Sequence, residues 1–245
     1  MNLGTLAWGE RRGGRLGVLE MFAQARDGLA ARLRARPPAG VAGPELREVR
    51  RLALPETPLV AWAATKCRAA SEPWLLAHCF RTYLFGALLA RRDDLSFDGE
   101  VAATASLLHD LGLTPSCEPA PGECFAVRGA REALRLLGEH EIDGDRRLRI
   151  ADAISLHLCV RVPPSLGAEA HLVHEGAAYD VVGARWREVA PEARAAVLSA
   201  HPRGSMKQKL GVVVRDRARA GPRTRIALLC RFGFLGLIAR SPFEE

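Results

Sequence analysis

The sequence predicts an all-α protein: one helical bundle over residues 51–245, preceded by an Arg-rich helical extension over residues 1–50. Three observations predict it. Apolar residues recur at spacings of three and four, with few of the period-two alternations that mark strands. Helix-start and helix-stop residues bracket the apolar segments. Apolar content is 48% with 6% aromatics, enough for a packed core and against disorder.

In the extension, Leu16, Leu19, Phe22, Leu29 and Leu33 fall at near-helical spacing and predict one amphipathic helix. It is expected to stop at "RPPAGVAGP", where Pro37 and Pro38 break helix. It reads as packed on the main domain, with a partner-binding arm as the alternative. "LPETP" (54–58) punctuates the start of that domain. "SEPWLLAHCFRTYLFGALLARRD" opens with Ser71 as a candidate N-cap and Pro73 in the first turn. "DGEVAATASLLHDLG" is expected to end at Gly112 as a C′ glycine. "VRGAREALRLLGEHE" sets Ala130, Ala133, Leu134 and Leu137 on one stripe, and "DRRLRIADAISLHL" places Ile150, Ile154 and His157 at spacings of four and three. "PEARAAVLSAH" and a C-terminal apolar run, read as a buried helix or helix pair, complete the bundle.

Composition excludes several classes. No run reaches the ~18 uncharged apolar residues of a spanning helix, since Arg231 interrupts the best candidate. The N-terminus lacks the charged-then-apolar order of a signal peptide, so a cytoplasmic protein is expected. The six cysteines form no C-x-x-C pair and read as reduced apolar fillers. The formal charge is +7, yet lysine occurs only at 66, 207 and 209. The arginines are dispersed and follow an Arg-and-Ala bias of genome composition. They are not gathered with aromatics in one stripe, which disfavours nucleic-acid binding. "GVAGPE" and "GERRGG" carry no phosphate-loop lysine pattern, and there is no G-x-S-x-G.

Seven histidines remain, at 78, 109, 140, 157, 171, 174 and 201. His78 lies inside "WLLAHCF", and His109 ends "TASLLHD" beside Asp110. Imidazole and carboxylate together are the usual ligands of a catalytic divalent metal, and helical bundles present them inward from neighbouring helices. A lone histidine on an apolar face is more often a core residue; several in different helices with an adjacent acid point to a site. His171 and His174, at i and i+3, read as a solvated helix end. His140 and His201 lie in polar loop-like sequence and are expected at the surface. Trp74, Tyr83 and Phe85 read as core.

A histidine, a His-Asp pair 31 residues later and an aspartate 70 residues beyond resemble the HD-domain superfamily of metal-dependent hydrolases. The matching positions are His78, His109, Asp110 and Asp180, in "LLAHCFRTYLFG", "ASLLHDLG" and "GAAYDVVG". The H-x-x-R-x-Y-x-F stretch from His78 is similar to that of the cyanamide hydratase-like branch, as are "FAVRGAREALRLL" and "AISLH". The resemblance spans about residues 54–182 and leaves out 1–50. It implies an HD-type bundle in which His78, His109, Asp110 and Asp180 hold one divalent metal (Zn, Fe, Mn or Ni), with Asp110 also accepting a proton from the water to be activated. Many two-metal relatives have a histidine where this chain has Phe125, so a mononuclear site is expected. Ala77 and Cys79 flank His78 where close relatives have Asn and Ser.

Beside the metal set, His157 and Arg81 are the candidate catalytic residues. His157 is expected either to touch the metal, its water or the substrate, or to stand behind those groups or in the core. Arg81, one turn after His78, suits either an anionic substrate group or a role orienting Asp110 or Asp180; Arg128 is a weaker version. Three functions follow: metal-dependent hydrolysis of a small molecule, commonly a phosphate ester in this superfamily; hydration of a nitrile-type bond; and a non-catalytic helical binding module. A small dry pocket would favour the hydratase, and a wide mouth ringed by arginines the phosphohydrolase. The expected partner is a small-molecule substrate, without membrane attachment, and a homo-oligomer is compatible.

Overall fold

The computed structural model describes the backbone of residues 2–34 and 53–245, with side chains for 2–28 and 53–245. The described residues form helices without a strand, apart from one isolated bridge between Arg15 and Thr224. In chain order the α-helices are α1 (Leu6–Arg12), α2 (Val18–Arg34), α3 (Pro58–Ala70), α4 (Pro73–Arg92), α5 (Gly99–Leu108), α6 (Phe125–Leu137), α7 (Gly144–Leu156), α8 (Ala168–Val182), α9 (Pro191–Ala200), α10 (Met206–Ala220), α11 (Arg225–Arg231) and α12 (Phe234–Ala239). Among the described residues no helix is long and apolar enough to cross a membrane.

Local chemistry sets the starts. Thr57 caps α3 by accepting from Val60 N, Asp98 caps α5 from Glu100 N and Val101 N, and Asp143 caps α7 from Asp145 N and Arg146 N. Pro73 fills the first turn of α4, but Glu72, not the expected Ser71, is its N-cap residue. Ser71 is the C-cap of α3 instead, because the two helices abut.

The fold is organised around α5. Every residue from Val101 to Leu108 is buried, which explains its alanine richness: a helix surrounded on all sides needs short side chains all round. It packs against α3, α4, α7 and α8. The most extensive pairing is α4 against α8, where glycines let the backbones meet. A Cβ at Gly176 would fall on the Thr82 carbonyl oxygen, and one at Gly86 would lie 2.5 Å from the Leu172 carbonyl oxygen.

Helix α5 stops at Leu108, four residues before the expected end. Gly112 sits in a 3₁₀ turn over Leu111–Leu113 and does not adopt a left-handed φ. Glycine is needed there for space: a Cβ would collide with the Phe125 carbonyl at the start of α6. The chain thus turns immediately after the His-Asp pair.

The described part of the extension holds two helices where one was expected. Leu6, Trp8 and Leu16 join the same core as the rest of the chain, whereas Leu19 and Phe22 are exposed. The side chains of Leu29 and Leu33, and the Pro37–Pro38 break, lie outside the described residues. The C-terminal apolar run forms a helix pair, α11 and α12, but not the buried one expected: Phe232 and Leu237 are exposed.

Candidate metal centre

Two helices and the ends of two others bring the candidate side chains together. His78 lies in the second turn of α4, His109 and Asp110 follow the last turn of α5, His157 caps α7, and Asp180 lies in the last turn of α8. All five are buried. The helix ends matter because their last carbonyls lack intrahelical partners. His109 donates from Nδ1 to the Ser106 carbonyl at 2.7 Å, and His157 does the same to the Ile154 carbonyl at 2.6 Å. His78 donates from Nδ1 to Asp180 Oδ2 at 2.7 Å. In its neutral form each ring therefore carries its hydrogen on Nδ1 and a lone pair on Nε2.

Those lone pairs converge. His78 Nε2 lies 3.2 Å from His109 Nε2, and Asp110 Oδ2 lies 3.5 Å and 3.3 Å from them. His157 Nε2 faces the other carboxylate oxygen, Asp110 Oδ1, at 3.7 Å. Among the described residues, His78, His109 and Asp110 form a group of donors all within 4.8 Å of one another. Two imidazole lone pairs facing each other in a buried site repel unless a positive charge lies between them. Separations of 3.2–3.5 Å are those of donors sharing one cation at bonds of about 2.0–2.2 Å. The donor set fits a divalent metal.

Electrostatics agree. Burial alone would raise the Asp110 carboxyl, but His109, His157 and His78 outweigh it and hold the group well below the usual carboxylate range. Burial pulls His109 down, and Asp110 more than reverses it, leaving the imidazole raised. Burial, reinforced by His109, pushes His157 down to about 3, and burial likewise lowers His78. His157 is thus a neutral imidazole.

Asp180 lies outside the three-donor group. Its Oδ2 accepts from His78 Nδ1 and from Arg81 Nη2 at 2.8 Å; its Oδ1 accepts from Arg81 Nε at 2.9 Å and Arg203 Nη1 at 2.6 Å. Despite full burial, the Arg81 charge and His78 hold its carboxyl well below the ordinary range. It faces the ring edge of His78 opposite Nε2. Arg81 is fully buried and does not line the cavity; its remaining donors reach the His201 and Pro202 carbonyls. Its position is that of an orienter of Asp180, the carboxylate that orients His78.

Arg203 is the residue that sequence reasoning missed. It lies after α9 in "AHPRGS", and only the tertiary fold brings it to Asp180. His174 donates from Nδ1 to the His157 carbonyl at 2.9 Å and lines the cavity over the site, while His171 donates to the Val162 carbonyl. Neither is the solvated helix end that was expected. His140 and His201, expected at the surface, are half-buried against the rings of Trp62 and Phe80. Arg128 pairs with Glu132, away from the cavity. Phe125 stands beside the His157 ring, 5.8 Å between centroids, and lines the cavity. Trp74, Tyr83 and Phe85 are buried in the core.

A cavity of about 1400 Å³ opens over His78, His109, Asp110 and His157. Its remaining wall is largely apolar and comes from α2, α8 and α10–α12.

No curated protein matches the chain. A family model described as HD domain matches residues 75–200. That span begins three residues before His78 and covers His109, Asp110, His157 and Asp180, and its 126 residues are just over half of the 245 in the chain. Members of that family are generally metal-dependent hydrolases, the chemistry for which two facing imidazoles and a shared carboxylate are suited, and this chain belongs to the HD-domain family.

Proposed function

We propose that the protein is a hydrolase that uses one divalent metal ion, held by His78 Nε2, His109 Nε2 and Asp110 Oδ2, to cleave an ester-type bond, a phosphoester first of all, in a small molecule. The observation that carries the reading is that three histidines donate from Nδ1 to fixed acceptors, which aims their Nε2 atoms at one carboxylate. A divalent ion there supplies Lewis acidity and lowers the pKa of a water towards neutrality.

The chain's own groups do the rest. The Asp110 carboxylate would accept the proton of that water, and neutral His157, whose Nε2 lies 3.7 Å from Asp110 Oδ1, is placed to receive a hydrogen bond from water or substrate. As the water oxygen bonds to phosphorus, the bond to the leaving oxygen breaks, and the proton passes through the Asp110 carboxylate to the leaving alkoxide. Asp180 acts through His78 as a positioning residue, itself fixed by Arg81 and Arg203. One metal is proposed rather than two, because Phe125 places a ring that cannot ligate beside His157.

The cavity favours hydrolysis over nitrile hydration. A substrate of cyanamide size would leave most of about 1400 Å³ filled with water, whereas pockets near ~1,000 Å³ suit drug-sized ligands.

Metal content of protein purified without added metal, beside Asp110→Ala and His109→Ala, tests the reading. The expected result is about one metal per chain in the parent, little in either variant, and phosphomonoester hydrolysis only by the parent. Near-zero metal in the parent after offering Zn, Fe and Mn would overturn it and leave a helical binding module. Turnover of cyanamide without ester cleavage would replace hydrolase with hydratase.

A further inference from the structure

The shape of the cavity carries information that the metal cluster does not. The four converging donors sit at its buried end, where His78, His109, Asp110 and His157 are at most 9% exposed; Gln24, His174 and a few charged side chains are the other polar groups on a wall that is mostly apolar. The rest of the wall includes Leu113, Phe125, Val181, Leu210, Val214 and Ile226, all apolar and contributed by five elements. At the outer end Phe22 of α2 is 69% exposed and Leu237 of α12 is 39% exposed, and both line the same cavity. Large apolar side chains left in water at the mouth of an apolar tunnel mark a binding surface.

The charged groups on the wall do not make a second polar subsite. Arg185 is engaged by Asp93, Glu175 and Glu188, and Arg187 lies over the Trp186 ring. Arg26 pairs with its neighbour Asp27. Apart from Gln24, His174 and these charged groups the wall is apolar, so a highly polar substrate such as a nucleotide or sugar phosphate would set most of its hydroxyls or base edges against side chains that cannot satisfy them, which is costly.

We propose that the substrate is an amphiphile: a polar head that reaches the His78–His109–Asp110 cluster and an apolar chain that runs along the wall past Val181 and Val214 to Phe22 and Leu237. The proposal rests on the hydrolase reading for the identity of the head and stands independently of it for the chain. Hydrolysis of such a phosphomonoester takes one water and releases an apolar alcohol and inorganic phosphate. The alcohol leaves along the wall that held it.

A homologous series of n-alkylphosphonates (methyl, hexyl and dodecyl), which carry the head but no cleavable ester, tests this by titration calorimetry on metal-loaded protein below the micelle concentration. Full burial of each methylene corresponds to about fourfold in affinity. The expected result is affinity that climbs steeply from methyl to hexyl and on to dodecyl. Phe22→Ser with Leu237→Ser, at exposed positions that do not threaten the fold, should weaken dodecylphosphonate by three- to tenfold and leave hexylphosphonate unchanged.

Equal affinity across the series, or no effect of the double variant on the dodecyl ligand, would overturn the proposal. Failure of the metal reading looks different. If Asp110→Ala and the parent both lack metal yet keep the chain-length dependence, the apolar site stands and the hydrolase does not. If the parent holds metal and cleaves phosphoesters but the series is flat, the hydrolase stands and the amphiphile does not.

Discussion

At the scale of single residues, the site depends on which nitrogen of each histidine carries the hydrogen. His109 and His157 are fixed by carbonyls of their own helices, but His78, inside its helix, has no free carbonyl and relies on Asp180. Replacing Asp180 with Asn leaves Arg81 and Arg203 facing a neutral group in a fully buried place. Breaking a buried pair in this way costs about 3–5 kcal/mol, and loss of the carboxylate behind a ligand histidine costs roughly 10–100-fold in metal affinity. Both are expected for Asp180→Asn, by chemical denaturation and by metal titration at a temperature where circular dichroism shows the variant folded. Unchanged metal affinity would show that Asp180 does not act through His78.

The same residues give the metal-free protein a defined pH profile. Burial takes His157 from 6.5 to about 3 and lowers His78 as well. Below pH 6.5 the unfolded chain binds protons that the folded one refuses, so stability falls as pH drops from about 6.5 towards 3, by up to about 1.4 kcal/mol per unit for His157, and His78 acts in the same direction. His109 runs the other way. Burial opposes its charge, Asp110 wins, and the resulting stabilisation is full below 6.5 and lost as pH rises through the raised value. Urea melts of metal-stripped protein should therefore peak near pH 6.5, and stability still climbing well above that pH would contradict a charged His109. Metal affinity should rise through the alkaline side of the peak, because His109 must lose its proton to ligate.

At the scale of elements, two features build the site: helices that stop on a histidine and helices that touch. α5 and α7 end at Leu108 and Leu156, and in both the next residue turns back to cap its own helix. The α4–α8 contact sets how near Asp180 comes to His78. A Cβ at Gly176 would strike the Thr82 carbonyl, backbone that cannot yield as a side chain could. Overpacking costs about 1–3 kcal/mol, occasionally more. Gly176→Ala is expected at the upper end, lowering Tm by about 4–12 °C in a chain of this size and weakening metal retention with it. A thermal scan with metal content checks both, and an unshifted Tm would mean that the helices separate without cost. Gly112→Ala should behave similarly through the Phe125 carbonyl.

At the scale of the whole molecule, the two ends of the described chain close on each other. Leu16 N donates to the Arg223 carbonyl at 2.8 Å, and Cys124 N to the Gly13 carbonyl at 2.9 Å. Fully buried Arg225 ties this junction together: Nη1 donates to the Ser155 carbonyl at 2.7 Å and lies 3.2 Å from Cys159 Sγ, and the guanidinium sits over Trp8. Its Nε has no hydrogen-bond partner, so its volume matters as much as its charge. Arg225→Ala should lose about 3 kcal/mol through the cavity it leaves, and Arg225→Met, which refills that space without burying a charge, should recover most of it. Denaturation of the two variants side by side decides between packing and charge; equal losses would assign the effect to the guanidinium.

The sequence by itself determined what depends on local chemistry. Helical spacing, capping Asp and Thr residues and early prolines specify an all-α chain, and the spacing of His78, His109, Asp110 and Asp180 marks the place where its histidines and acids meet. These signals are legible because a period or a cap is written within a few consecutive residues. Contacts between distant segments are not. Nothing in "GAAYDVVG" states that Asp180 faces the back of the His78 ring, and nothing in "HPRGS" states that Arg203 joins it. Gly112 reads equally well as a helix cap or as a residue with no room for a side chain, until the Phe125 carbonyl is placed beside it. The tertiary structure alone decided those roles, together with the depth of the cavity and its apolar wall, because each is a distance between backbones far apart in the chain, set by packing rather than by neighbours in sequence.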